Sequence, residues 1–425
     1  MSSLPAQEAL PDIGFLRETR RGARQNEYTP RSVSNLHLSD RAGLLKPSPT
    51  LGITAKANAM RTQGVDVVSF AAGEPDFNTP ASICQSAIDA LNQGFTKYTP
   101  SAGIPALRDA ITAKLNTENG LHTTPGQIVV SCGAKHSVFN TMQVILNPGD
   151  EVILIAPYWM TYAEQIILAG GKPVVVHARA EDNFVPDISQ LAAAVTDRTR
   201  AILVNSPSNP TGAVLPPALL QQIADLALAK KLWIISDEIY EKLVYGVPQL
   251  SIGSLSAEVE AQTITINGFS KTFSMTGWRV GYASAPKELA QAMSNFQDQV
   301  TSNPTSFAQR GAVTALALPP DDVEAMRVEF AARRDLITGL LADIPRVTVP
   351  IPDGAFYAFP DFSAYLGDRF ATDTDLATWL LETAHVACIP GSVFEGAGHL
   401  RLSYAASREN IERGVARIKT ALSQI

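Results

Sequence analysis

The chain has 425 residues, of which 45% are hydrophobic and 18% charged, and a formal net charge of -7. This length exceeds that of one average domain, so two domains, or one large domain with an appendage, are expected. The composition is that of a globular protein, and the lack of an apolar run long enough to span a bilayer argues against a membrane protein. The negative net charge argues against nonspecific binding to nucleic acid.

The first 35 residues are rich in Arg, Glu and Gln and lack hydrophobic periodicity, which predicts a mobile tail or an extension over residues 1–35. They contain no apolar core for a secretory signal, and their acidic residues argue against a transit peptide. We therefore expect a cytoplasmic protein. Cys84, Cys132 and Cys388 have no CxxC spacing and are interpreted as free, buried thiols, while the six histidines form no motif that predicts a metal site.

From about residue 80, helical and strand patterns alternate. Periodicity predicts helices at 81–93, 107–116 and 134–146, and apolar runs predict strands at 129–131, 151–155, 173–176, 201–204, 232–235 and 263–266. Apolar strands separated by helices are typical of an α/β fold with a mainly parallel sheet covered by helices on both faces. We assign this large domain to residues 80–320.

A second pattern follows Pro319-Pro320. A helix is predicted over 321–342, and short strands over 354–359 and 399–404. These elements predict a smaller α/β domain, formed by residues 36–79 together with 321–425.

Polar motifs follow three of the predicted strands. The segment Asn205-Ser206-Pro207-Ser208-Asn209-Pro210-Thr211-Gly212 comes directly after strand 201–204. Asn, Pro and Gly at this density form a turn in any case, so a simple strand-to-helix loop is the alternative interpretation.

The second motif, Ser236-Asp237-Glu238-Ile239-Tyr240, follows strand 232–235. An aspartate placed against a pyridine nitrogen keeps that nitrogen protonated and makes the ring a better electron sink. Tyr240, three positions later, is expected on the first turn of a helix and within reach of the same ring. A helix N-cap is the alternative role of Asp237.

The third motif spans residues 268–281 and places Lys271 just beyond the end of strand 263–266. Ligands of open α/β sheets bind at this rim. A lysine there is suited to Schiff-base formation with a carbonyl, as in enzymes that use pyridoxal phosphate (PLP), although an ordinary surface lysine is the alternative.

In order and spacing, these three loops resemble those of the class I and II aminotransferases, PLP enzymes of fold type I, over residues 40 to 425. The resemblance implies that Lys271 holds PLP, that Ser270 and Arg279 bind its phosphate, and that Asn209 contacts its phenolic oxygen, with Lys271, Asp237 and Tyr240 as catalytic residues. It also implies that Trp159 stacks on the ring; a core tryptophan is the alternative.

Two further cofactor contacts follow. Gly133 and Ala134 open a helix after a strand, where free amides favour a phosphate. Tyr98 resembles the tyrosine that crosses the dimer interface to the partner's phosphate. The resemblance therefore implies a homodimer with shared active sites.

The substrate residues also come from the resemblance. Arg401 would hold the α-carboxylate through two parallel hydrogen bonds, with a structural salt bridge as the alternative. Gly73 resembles a mobile glycine whose backbone meets that carboxylate, and Trp159 and Asn209 complete this part of the site. In one subgroup a lysine contacts the distal carboxylate, helped by residues of the neighbouring chain; the corresponding positions are Lys135, Lys46, Ser48 and Thr50.

The implied reaction is a ping-pong transfer from L-aspartate to 2-oxoglutarate that yields oxaloacetate and L-glutamate. Some members of the subgroup also convert prephenate to arogenate. The alternatives are an aminotransferase for alanine, aromatic amino acids or kynurenine, a C–S lyase, or a PLP-sensing regulator. The regulator would need an N-terminal DNA-binding domain that the first 40 residues cannot supply.

Overall fold

The computed structural model describes residues 38–45 and 49–425. The predicted tail 1–35, Lys46 and Ser48 lie outside the described residues, and of Thr50 only the backbone is described. The chain divides into two units, Met1–Gly43 and Leu44–Ile425. The division of residues 44–425 into a large and a small domain stays a prediction.

A seven-stranded sheet is the largest assembly of strands in the described part of the chain. Its strand order is β2-β8-β7-β6-β5-β3-β4, and β8 runs antiparallel to both of its neighbours while the other pairs are parallel. The described strands are β1 Val68–Ser69, β2 Ile128–Ser131, β3 Glu151–Ala156, β4 Lys172–His177, β5 Thr199–Asn205, β6 Trp233–Asp237, β7 Thr263–Gly268, β8 Gly281–Ser284, β9 Tyr357–Ala358, β10 Val386–Ala387, β11 Ile389–Pro390 and β12 Leu400–Ser403.

Helices connect these strands. Those described are α1 Asp40–Leu44, α2 Pro49–Thr62, α3 Ala81–Asn92, α4 Pro105–Glu118, α5 Ala134–Ile145, α6 Thr161–Leu168, α7 Ile188–Ala193, α8 Pro217–Lys230, α9 Ala257–Glu260, α10 Lys287–Val300, α11 Ser306–Leu316, α12 Pro320–Ala342, α13 Asp373–Trp379 and α14 Arg408–Leu422. A π-helical turn, Leu380–Ala384, follows α13.

Both faces of the large sheet are buried, and the alternation of side chains along each strand explains how. In β3, Val152 and Leu154 pack into a cluster with α5 and α6, whereas Ile153 packs into a separate cluster with α8. Successive strand residues point to opposite faces, so a single apolar strand contributes core side chains to both faces of the sheet. The predicted α/β architecture with helices on both faces is confirmed.

Two smaller sheets combine β1 with strands from the last 70 or so residues of the chain. β1 pairs in parallel with β10, and β11, β12 and β9 form an antiparallel sheet with β12 in the middle. Helices α12 and α14 pack against these strands around the aromatic core residues Phe330, Phe356 and Tyr404. Among the described residues, no helix is both long enough and apolar enough to cross a membrane.

Three expectations need correction. The strand predicted over 354–359 is confined to Tyr357–Ala358, since Gly354 and Ala355 join turns that bond to Gly212 and Leu243. Tyr240 lies in a turn and not on a helix, because the chain after β6 turns back through a Glu241 N–H to Glu238 bond. Cys84 and Cys132 are only half-buried; Cys388 alone of the three free cysteines is buried.

Candidate active site

A cavity of about 440 Å³ opens at the ends of β5, β6 and β7. It contains residues from all three predicted loops, so the parallel strands bring the three motifs to one place, as expected. The predicted site residues that line it are Gly73, Ala134, Lys135, Trp159, Asn209, Asp237, Tyr240, Ser270, Lys271, Arg279 and Arg401.

Asp237, the last residue of β6, is held by hydrogen bonds to both carboxylate oxygens. Oδ2 accepts from the Tyr162 hydroxyl at 2.6 Å and Oδ1 from the Ile239 N–H at 3.2 Å. Burial raises the pKa of this carboxyl to about 6, while the two hydrogen bonds and the charge of Lys271 oppose that rise. At neutral pH the group is therefore a carboxylate. Its negative charge lies at the wall of the cavity, where it can attract a positively charged group.

Lys271 lies in the turn after β7, and its ammonium donates to the Gly73 carbonyl oxygen. Burial lowers the pKa of this amine to about 8; the Glu74 carboxylate opposes the shift, and the charges of Arg401 and Arg279 add to it. A lysine with a lowered pKa has a larger neutral fraction near physiological pH, and the neutral amine is the nucleophile.

Arg401, in β12, is buried and joins two distant segments. Its Nη1 donates to Asn209 Oδ1 at 3.0 Å and its Nη2 to the Ala71 carbonyl at 2.9 Å. The guanidinium lies 4.6 Å from the Tyr357 ring centroid and 5.0 Å from that of Phe394. Its Nε is buried without a hydrogen-bond partner among the described residues, and no carboxylate is paired with Arg401 there. The alternative of a structural salt bridge therefore finds no support in the described part of the chain.

The start of α5 forms another wall. Gly133 precedes the helix with φ of 87°, and a Cβ built on it would lie 2.5 Å from Arg279 Nη2. Arg279 itself donates to the Thr276 carbonyl at 2.8 Å. Free helix amides beside a guanidinium, with Ser270 nearby, form an environment that suits a phosphate. Gly133 does not line the cavity, but it lets Arg279 approach the helix start.

Lys135 and Trp159 meet at the edge of the cavity. The Lys135 ammonium lies 4.8 Å from the Trp159 ring centroid, and partial burial, with the nearby charge of Arg279, lowers its pKa. A cation over an indole face is a favourable contact. This pair adds a second positive group to the cavity, apart from Arg401.

Tyr240 and Tyr357 share a hydrogen bond between their hydroxyls at 2.9 Å. Burial raises the pKa of both, so both hydroxyls stay protonated at neutral pH. Tyr240 is thus within the cavity as predicted, although it reaches it from a turn.

Tyr98 stands apart from the cavity of its own chain and is 91% exposed. The segment after Tyr98 is fixed by the buried side chain of Gln309. This side chain donates to Thr99 Oγ1 at 3.1 Å and accepts from the Ile104 N–H at 2.8 Å.

The motifs did not identify several residues that line the cavity. Tyr162 and Tyr357 bond to predicted residues, and Asn205 donates to the Asp237 carbonyl at 3.0 Å while accepting from the Asn209 N–H at 3.0 Å. Asn205 begins the Asn-rich loop, so its position after a strand was a usable signal. Nothing in the sequence around Tyr162 or Tyr357 marks either residue.

Comparisons with known proteins agree with this geometry. Residues 65–418 match the family "Aminotransferase class I and II". The chain is 50% identical over 391 residues to a probable aspartate/prephenate aminotransferase of Aquifex aeolicus, covering 91% of this chain and 99% of that one. It is 49% identical over 383 residues to an aspartate aminotransferase of a Bacillus species, covering 90% and 98%. The structure of an aspartate aminotransferase from Thermus thermophilus with maleate superposes with a TM-score of 0.86 at 43% identity, covering 91% and 99%.

Proposed function

The chain belongs to the class I and II aminotransferases, and we propose that it uses PLP to transfer the amino group of L-aspartate to 2-oxoglutarate, yielding oxaloacetate and L-glutamate. The observation that carries this proposal is the cavity that combines Lys271 and Asp237 with two separate cationic groups, Arg401 and Lys135. Similar proteins that are named aspartate aminotransferases support the same assignment.

The residues present fit PLP. Lys271 offers an amine with a lowered pKa, Asp237 offers a buried carboxylate for a ring nitrogen, and the helix start beside Arg279 offers donors for a phosphate. When bound, PLP supplies a carbonyl that condenses with amines and a ring that accepts electrons from Cα.

The chain's own residues would carry out proton transfer, positioning of the ring and binding of the substrate carboxylate. Lys271 would hold the cofactor and then, as a free amine, move a proton at the substrate Cα, which a pKa of about 8 suits. Asp237, Asn209 and Tyr240 would fix the ring by contacts at its nitrogen and phenolic oxygen. Arg401 would bind the α-carboxylate, and its Nε, which has no hydrogen-bond partner among the described residues, is one of the donors it can use.

Selection of a dicarboxylic substrate would depend on Lys135. Its ammonium lies over the Trp159 ring in the lining of the cavity. It can bind the second carboxylate of a substrate whose first carboxylate is bound by Arg401. We propose the same role for Lys46, Ser48 and Thr50 of a neighbouring chain, by resemblance alone.

A homodimer with shared sites is part of the proposal. The exposed Tyr98 would complete the partner's phosphate site, which its 91% exposure in the single chain supports. The cytoplasmic location remains a prediction based on the sequence.

Prephenate is a second acceptor to consider, because similar proteins carry the name aspartate/prephenate aminotransferase. A panel that compares oxaloacetate, 2-oxoglutarate and prephenate as amino acceptors, with aspartate, glutamate, alanine and an aromatic amino acid as donors, tests the proposal. We expect turnover of the aspartate and 2-oxoglutarate pair. If this pair is inert while alanine or an aromatic amino acid reacts, the aspartate assignment is wrong.

A further inference from the structure

Tyr162 is the buried residue most closely bound to the catalytic carboxylate and was not identified by any motif. It lies in the first turn of α6 and is 1% exposed, and its hydroxyl donates to Asp237 Oδ2 at 2.6 Å. Its ring packs edge-on against Trp159, with centroids 5.3 Å apart and planes at 87°. Tyr162 therefore contacts both the carboxylate and the aromatic wall of the cavity.

The hydrogen bonds to Asp237 restrict where its carboxylate can point. The Ile239 N–H, from the adjoining turn, holds Oδ1, and Tyr162, from a different element, holds Oδ2. With one oxygen fixed by its own turn and the other by α6, rotation about the side-chain bonds would break at least one contact. A buried carboxylate that loses a donor also becomes easier to protonate.

We propose that Tyr162 is a positioning residue that fixes the Asp237 carboxylate toward the ring nitrogen of the cofactor and holds Trp159 over the ring face. This inference rests on the proposed function, since it takes Asp237 as the partner of that nitrogen. Tyr162 acts through Asp237 and Trp159 and takes no part in proton transfer. Burial and the nearby Asp237 charge raise the pKa of its phenol, so the hydroxyl remains a donor at every working pH.

The test compares Tyr162→Phe, which removes the hydroxyl and keeps the ring, with Tyr158→Phe as a matched control. Tyr158 is a buried tyrosine in the loop just before α6 and does not line the cavity. For Tyr162→Phe we expect the Kd for PLP to rise and kcat to fall, each by about tenfold, as for loss of one hydrogen bond to a charged group. The KM values for both substrates should change by less than about twofold, and Tyr158→Phe should match the wild type in all of these quantities.

An Asp237→Asn background separates positioning from a general structural role. There Tyr162→Phe should change the Kd for PLP by less than about twofold, because the carboxylate it acts through is gone. The proposal is overturned if Tyr162→Phe has the same effect in both backgrounds, or none in the wild type. Thermal unfolding of the four proteins of this cycle and of Tyr158→Phe checks that they fold. If Tyr162→Phe does not fold, Tyr162→Leu, which also lacks a donor, replaces it in the same cycle.

The two proposals fail in different ways. If the wild type binds PLP but does not turn over aspartate, the substrate assignment fails while the cycle of PLP affinities still tests Tyr162. If the wild type transaminates aspartate and the cycle shows no coupling, only the role of Tyr162 is wrong.

Discussion

Arg401 donates a hydrogen bond from Nη1 to the Asn209 side-chain oxygen across 3.0 Å, although the two residues lie 192 positions apart in the chain. Arg401 comes from the central strand β12 of a small sheet, and Asn209 from the loop after β5 of the large sheet. The proposed carboxylate site and the proposed cofactor site are therefore joined by one contact, and a substrate held by Arg401 would lie beside a ring held by Asn209.

Arg401→Lys should raise the KM for both aspartate and 2-oxoglutarate. Lysine keeps the charge but cannot form two parallel hydrogen bonds with a carboxylate, so we expect a loss of about 2 kcal/mol, or roughly 30-fold in kcat/KM. Steady-state kinetics with each substrate measures this effect. An Arg408→Lys control changes a guanidinium of an exposed ion pair and should leave kinetics unaltered. Equal effects of the two substitutions would contradict the role of Arg401.

Lys135→Ala should raise the KM for aspartate about tenfold, since it removes the cation proposed for the distal carboxylate. The KM for alanine, which has no distal carboxylate, should change by less than about twofold. Measuring both donors with the same variant makes alanine the internal control. An unchanged KM for aspartate would remove the basis for dicarboxylate selection.

Attachment of PLP to the apoprotein should become faster as pH rises toward about 8 and then level off, because only the neutral Lys271 amine reacts. The Glu74 carboxylate raises the pKa of this amine, so Glu74→Gln should lower that pKa and speed attachment at pH 7. Cofactor absorbance followed by stopped flow between pH 6 and 9 gives the rates. Glu258→Gln, at the exposed start of α9, is the control and should attach PLP at the wild-type rate. Slower attachment in Glu74→Gln would contradict the predicted effect of Glu74 on the Lys271 pKa.

Gly281→Ala should destabilise the protein and weaken PLP binding. A Cβ at this position would overlap the Ala134 amide nitrogen, which belongs to the helix start proposed for the phosphate. We expect a loss of about 1 to 3 kcal/mol in the free energy of unfolding, as for overpacking in a dense interior. Gly277→Ala lies in the same motif with no heavy atom within 4 Å and is the matched control. Similar melting temperatures and PLP affinities for both variants would contradict this packing argument.

The sequence predicted the parts of the site that depend on strand ends. Asn209, Asp237 and Lys271 each follow an apolar run by a few residues, and parallel strands place such residues together whatever the packing elsewhere. Tyr162 and Tyr357 were not predicted, because their place in the site comes from how α6 and β9 pack, and periodicity carries no information about that packing. The antiparallel β8 was missed for another reason: its residues Gly281–Ser284 include no Val, Ile or Thr, so they give no strand signal after the motif.

Turnover of L-aspartate with 2-oxoglutarate, measured as oxaloacetate released by the PLP-loaded protein, tests the central claim most directly. The wild type should sustain turnover, and Lys271→Ala should lose at least about 10³-fold in kcat while retaining its folded structure. The one other amine among the described residues that line the cavity is that of Lys135, whose ammonium lies over the Trp159 ring. A wild type that binds PLP without releasing oxaloacetate, or a Lys271→Ala variant that keeps its rate, would contradict the account.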